Sequence, residues 1–151
     1  MNLELLNLFA KYMEKQEVLS RLTESKELRG YSYSEIHTIA AIGDMDSPNV
    51  TGIARIMHMT RGAISKITKK LVRDGLIESY MLEENKQKIF FKLTDKGQEL
   101  YDEHKKRHTL WLERDNLFLQ RYNPKDLAKI QRFMMEFNDY LENRIAEIGK
   151  E

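Results

Sequence analysis

Apolar residues in the first part of the chain recur every three or four positions: Leu5, Leu8, Phe9, Tyr12, Val18, Leu19 and Leu22, between residue 3 and about residue 28. That spacing predicts an amphipathic helix. Its first half, LELLNLFA, carries more apolar surface than one side of a small domain needs to cover, so a partner subunit is expected against it. A second helix is expected from a cap at Ser34 through Ile36, Ile39, Ala40 and Ile42 to a stop at Gly43. After the loop DMDSPN, Asn49 or Thr51 opens the short helix GIARIMHM. Thr60 then caps RGAISKITKKLVRD, which ends at Gly75, where a left-handed residue is needed. Two short helices this close together predict a helix-turn-helix.

Past Gly75 the period changes from helical to alternating. LIESYML and KIFFKL read as strands joined by EENKQ, a hairpin. Thr94 can cap a long helix to about Tyr122. Asn123 followed by Pro124 starts a last helix carrying Leu127, Ile130, Phe133, Met134, Phe137, Leu141 and Ile145. The predicted fold is mainly α with a small β-hairpin wing: a winged helix-turn-helix flanked by N- and C-terminal dimerisation helices. The expected segments are residues 1–30 for the first dimerisation helix, 31–96 for the winged module and 97–151 for the C-terminal dimerisation helices, all within one domain.

A length of 151 residues suits one domain, and two prolines and seven glycines suit a helical one. The absence of cysteine excludes disulfides, thiolate metal sites and thiol-based redox sensing. No apolar run is long enough to span a bilayer, and MNLELLNLFAKYMEKQ lacks the basic-then-apolar order of a signal peptide, so a cytoplasmic protein without a membrane partner is expected. The net charge of +1 hides an uneven distribution. Residues 1–54 carry 5 basic and 8 acidic groups (−3), residues 55–96 carry 10 and 5 (+5), and residues 97–151 carry 10 and 11 (−1).

The basic third coincides with the helix-turn-helix. A helix that enters the major groove needs small or polar residues first and cations on one exposed face. Thr60, Arg61, Ser65, Lys66 and Lys69 meet that need, while Ile64, Ile67, Leu71 and Val72 are expected to turn inward. Lys86, Gln87 and Lys88 are expected at the hairpin tip, following the phosphate backbone or dipping into the minor groove. A solvated basic face would explain a lone KK or RG pair, but the capped helix before it and the hairpin after it favour double-stranded DNA as the partner.

The segment TRGAISKITKKLVRDGLI (60–77), followed by a wing and then FKLTDKG (91–97), resembles MarR-type winged-helix transcriptional regulators along essentially the whole chain. The resemblance implies a homodimer on a palindromic operator, recognition helices in successive major grooves and, usually, repression. The family commonly carries Asp-x-Arg in the wing, where this chain has Asn85 and Gln87. Lys86 and Lys88 would substitute, but lysine lacks the planar fork suited to narrow grooves, so less sequence discrimination is expected from this wing.

One stripe of the long helix reads Gly97, Tyr101, His104, His108, Trp111, Asp115, Phe118, Tyr122. Histidines four apart on a helix point the same way and can share a cation, although each imidazole can also simply pack. His37, beside the apolar face of the second helix, is the expected third ligand. Glu17, near the end of the first, is the expected fourth, with Glu14, Glu24 and Glu103 as alternatives. The chain resembles the zinc-responsive AdcR/ZitR branch of the family, in which a first-helix glutamate, a second-helix histidine and an H-x-x-x-H pair bind zinc. That resemblance implies Glu17, His37, His104 and His108 as metal ligands and zinc as corepressor. A second, cysteine-containing site of that branch is expected to be absent, and His58 is assigned to packing or capping.

The competing expectation is a small aromatic or amphipathic effector in the crevice beside the winged module, with the histidines lining it. A purely architectural DNA-binding dimer is a third. An enzyme is not expected, because His104-x-x-x-His108 encloses only Lys105, Lys106 and Arg107 and so lacks the general base that catalytic zinc motifs carry.

Overall fold

Each helix begins where a side chain satisfies the amides that the helix leaves unpaired. The structure, a computed structural model, describes residues 1–24 and 29–149, the side chain of Glu24 excepted. Helix α1 spans Leu3–Glu24, with the Asn2 side chain accepting from the Leu5 amide. Its predicted continuation to residue 28 lies outside the described residues. Helix α2 spans Tyr33–Asp44 and starts earlier than expected. Its cap is Ser32, not Ser34, because Glu35 lies three residues after Ser32 and closes a capping box: each side chain bonds the other's backbone N–H. Ser34 is helical, and its carbonyl receives the buried Thr38 hydroxyl at 2.8 Å. The helix also runs through Gly43, which is needed there for space: an added Cβ would stand 2.4 Å from the Tyr101 ring.

Helix α3 (Val50–Met57) is capped by Asn49, which accepts from the Gly52 amide at 2.8 Å. His58 closes it in the left-handed conformation at φ 50°, the expected capping role. Helix α4 (Arg61–Arg73) is capped by Thr60 and ended by Gly75 at φ 73°. Strands β1 (Ile77–Leu82) and β2 (Asn85–Leu93) form an antiparallel hairpin that pairs Ile77 with Leu93 and Tyr80 with Phe90. A bridge from Asn49 to Phe90, and a bond from the Phe91 amide to the Pro48 carbonyl at 2.9 Å, tie β2 to the segment ahead of α3.

Helix α5 (Asp95–Leu119) is capped by Thr94. Its hydroxyl accepts from the Gly97 amide at 3.1 Å and donates to the Gly75 carbonyl at 2.7 Å, so the strand end, the α4 end and the new helix meet at one side chain. Helix α6 (Pro124–Ile148) is capped by Asn123 with proline in its first turn. Two compact units divide the chain, residues 1–106 and 107–149 of those described, so α5 begins in the first and ends in the second.

The core of the first unit is Ile36, Ile39 and Ile42 from α2, Ile53 from α3, Ile64 and Leu71 from α4, Leu76, Ile77 and Phe91 from the hairpin region, and Leu100 from α5. Val72, expected inward, is instead 41% exposed. The inner stripe of α4 passes through Ile64, Thr68 and Leu71, and Thr68 can take the central place because its hydroxyl bonds the Ser65 carbonyl. In the second unit α6 buries none of its residues, leaving Ile130, Phe133, Leu141 and Ile145 exposed, and in the first unit α1 exposes Leu3, Leu5, Leu6 and Leu8. Apolar surface on this scale is characteristic of helices completed by a partner.

Glycine at 97 sets the approach of α5 to the hairpin, since an added Cβ would lie 1.9 Å from the Leu76 carbonyl oxygen, whereas Gly62 in α4 has nothing within 4 Å of that position. Gly97→Ala is expected to destabilise the protein by about 2 kcal/mol or more. Gly62→Ala is expected to stabilise it by roughly 0.5–1 kcal/mol. Urea unfolding midpoints of the two variants check both signs.

Candidate nucleic-acid interface and histidine cluster

On α4, Arg61, Lys66 and Lys69 are exposed, Ser65 is half-buried, and Thr60 presents the helix start. The adjacent Lys70 points elsewhere. Its ammonium lies 2.9 Å from Glu35 and 4.7 Å from the centre of the Tyr31 ring, and Asp74 stands one turn away at 3.7 Å. The Glu35 carboxylate holds the Lys70 ammonium above the usual lysine range. Burial, and then Asp74, push the Tyr31 phenol up. The two lysines of the KK pair therefore divide: Lys69 stays on the solvent face, and Lys70 fastens α4 to the start of α2.

The hairpin tip is displaced from the position that the sequence pattern predicts. Glu83 and Glu84 make the turn, and Lys86, Gln87 and Lys88 belong to β2. The polar run EENKQ has the composition of a five-residue loop, but Leu82 pairs with Asn85 across a two-residue turn, which extends the strand back over Asn85–Lys88. Asn85 spends its carbonyl oxygen locally, accepting from the Gln87 amide at 3.3 Å. Lys86, Gln87 and Lys88 are all exposed.

Between the wing and the helix-turn-helix lies a groove of ≈ 570 Å³, lined by Asn49, Thr51 and Arg55 from the α3 side, Arg61 from α4, and Gln87 and Lys88 from β2, among others. Two predicted DNA-binding cations, Arg61 and Lys88, are thus brought to one concavity from opposite elements. Arg55 joins them, although the sequence pattern does not single it out. It is the lone cation in GIARIMHM, and no charge spacing within α3 marks it.

The second cluster lies where the start of α5 meets α2. Tyr101 lies against Gly43 and donates to Asp44 at 2.5 Å, and Lys105 bonds the same carboxylate at 2.9 Å. The Tyr101 hydroxyl, and then Lys105, hold the Asp44 carboxyl below the usual carboxylate range. The same bond to Asp44 raises the Tyr101 phenol. One turn along α5, buried His104 meets half-buried His37 edge-on, with ring centres 5.0 Å apart and planes at 75°. Tyr33 stacks on the other side of His37 at 3.9 Å.

Two imidazoles bound to one tetrahedral zinc ion, with nitrogens about 2.0–2.1 Å from the metal, have ring centres about 5 Å apart, a separation that an edge-on packing contact between two rings also gives. The remaining predicted ligands are not gathered with them. Glu17 is exposed and lines a shallow pocket with Gln16, Ser20, Arg21 and Tyr33. His108 is exposed in the second unit, its ring 5.5 Å from that of Trp111. Among the described residues no three His, Asp or Glu groups stand close enough to hold a metal ion. Of the alternative carboxylates, Glu103 is engaged by Arg29, Glu14 is exposed, and the Glu24 side chain lies outside the described residues.

Comparison with known proteins places this architecture. Residues 31–89 match the model of the MarR family. The HTH-type transcriptional regulator PchR of Bacillus subtilis is 33% identical over 109 residues, 72% of this chain and 64% of PchR. The uncharacterized HTH-type transcriptional regulator YhjH of the same organism is 31% identical over 146 residues, 86% of this chain and 83% of YhjH. Among solved structures, the adhesin competence repressor AdcR of Streptococcus pyogenes shares the fold with a TM-score of 0.67 at 20% identity, covering 88% of this chain and 98% of that one. The chain belongs to the MarR family, whose members are dimeric, DNA-binding transcriptional regulators rather than enzymes.

Proposed function

We propose that the protein is a homodimeric repressor of a palindromic operator and that zinc is its corepressor. The observation that carries the metal reading is the edge-on His37–His104 pair, which joins α2 of the DNA-binding core to α5 at a separation suited to one shared ion. The zinc-responsive branch that the sequence resembles supplies the rest of the expected ligand set, His108 one turn further along α5 and Glu17 on α1. Neutral imidazoles with one carboxylate suit zinc. The ion would add a link between helices already joined by Leu100 in the core and by Tyr101 and Lys105 on Asp44.

A hundredfold preference for the DNA-competent state requires about 2.7 kcal/mol of differential metal binding. That is a small part of the roughly 10 kcal/mol or more that tight structural zinc sites supply. A second reading is supported by the cavity of ≈ 370 Å³ lined by Tyr33, His37, Ala40, Met45, Ile56 and Met57 with Asp44 at its wall, a mixed apolar and polar lining that suits a small amphipathic effector.

Chelator-stripped protein, titrated with zinc at fixed salt on a duplex selected from a random pool, separates the two readings. Zinc is expected to tighten binding by wild type and to leave His37→Ala and His104→Ala indifferent, with the ion recovered in equilibrium dialysis only with wild type. Equal binding with and without metal, and no ion retained, would sink the corepressor reading and favour the organic effector. The zinc response is expected to fade below about pH 6, because protons compete for imidazoles that must be neutral to ligate. Repeating the titration from pH 5 to pH 8 measures this. Arg61→Ala and Lys66→Ala are each expected to weaken operator binding by roughly 1–3 kcal/mol if they read bases. A residue that touches only phosphate is expected to cost less and to lower the salt slope, so anisotropy titrations against point-substituted duplexes at two salt concentrations show which role each one has.

A further inference from the structure

The groove between α3 and the wing carries a charge arrangement that the reading of α4 does not explain. Arg55, Arg61 and Lys88 approach it from three different elements, and none of its described lining residues is acidic. Among the described residues none of these three cations makes an ion pair, although ion pairs are common elsewhere on the first unit: Lys70 with Glu35, Lys92 with Glu78, and Lys105 with Asp44. Converging uncompensated cations repel one another, and an anion seated between them relieves that repulsion. Asn49, Thr51 and Gln87 add uncharged hydrogen-bonding groups to the same wall.

From this geometry we infer that the groove is a grip on the DNA phosphate backbone and that Arg55 is its α3-side contact, a binding residue additional to those of α4 and β2. The inference rests on the reading of the chain as a DNA-binding regulator. Arg55 sits on the first helix of the helix-turn-helix, the one that crosses the backbone while the second reads bases. A guanidinium presents two parallel N–H donors that match two phosphate oxygens. With Lys88 facing it from β2 and Arg61 at the start of α4, one strand's phosphates pass between the wing and α3. Arg55 therefore sets register and affinity and carries no sequence preference.

The test is the salt dependence of binding to a mixed-sequence duplex that the wild-type protein selects from a random pool, measured by anisotropy between 50 and 200 mM KCl. Arg55→Ala is expected to weaken binding about tenfold at fixed salt. It should also lower the slope of log affinity against log salt by about one for each phosphate that is no longer neutralised, while selecting the same sequence. Arg55→Lys should keep the wild-type slope. Lys70→Ala should keep it too, since that cation is committed to Glu35. An unchanged slope for Arg55→Ala would overturn the assignment, and so would a change in the selected sequence, which would make Arg55 a base reader. If wild type enriches no duplex at all, the regulator reading fails and this inference falls with it.

Discussion

The start of α5 lies so close to α2 and to the residue ahead of β1 that two of the contacts there leave no room for a side-chain carbon. Gly97 faces the Leu76 carbonyl, and Gly43 faces the Tyr101 ring. Backbone against backbone is the tightest approach two elements can make, and it tolerates little adjustment because interiors are close-packed. Much else follows from it. Leu100 reaches the core, Tyr101 reaches Asp44, and His104 is carried under the surface to meet His37. The histidine pair is thus a consequence of two glycines and a threonine cap, Thr94, that fix where α5 begins and how near it runs.

Charge in the first unit is sorted by whether a carboxylate stands nearby. Lys70 and Lys105 are drawn to Glu35 and Asp44 and act as fasteners between helices, while Arg55, Arg61 and Lys88 face a groove without acid. Exposed ion pairs of this kind contribute little stability each, so their value is geometric. They hold α4 to α2, and α2 to α5, in one relation. A ligand that binds one such relation better than another shifts the balance between them, because differential binding alone moves such an equilibrium.

Local rules account for most of the elements. Thr60, Asn49 and Asn123 cap the helices they are expected to cap, Gly75 takes its left-handed turn, and the change of period after it marks the hairpin. Where structure and expectation part, a neighbouring group competes. Ser32 displaces Ser34 because Glu35 completes a reciprocal cap. Thr68 displaces Val72 because its hydroxyl finds a carbonyl within its own helix. Strand β2 absorbs the polar run Asn85–Lys88 because the turn needs only two residues.

Helix periodicity, caps and the concentration of positive charge in residues 55–96 are enough by themselves to determine a winged helix-turn-helix and the exposed cations of α4, since each is a property of residues near one another in the chain. Only the tertiary structure decided which lysine of the KK pair faces solvent, which glycines admit a neighbouring backbone or ring, that the expected partners His37 and His104 meet edge-on, and that Arg55 shares a groove with Arg61 and Lys88. These are relations between segments from a few to more than sixty positions apart. No spacing rule connects such segments, because packing of one element on another, and not the local backbone, sets the distances between them.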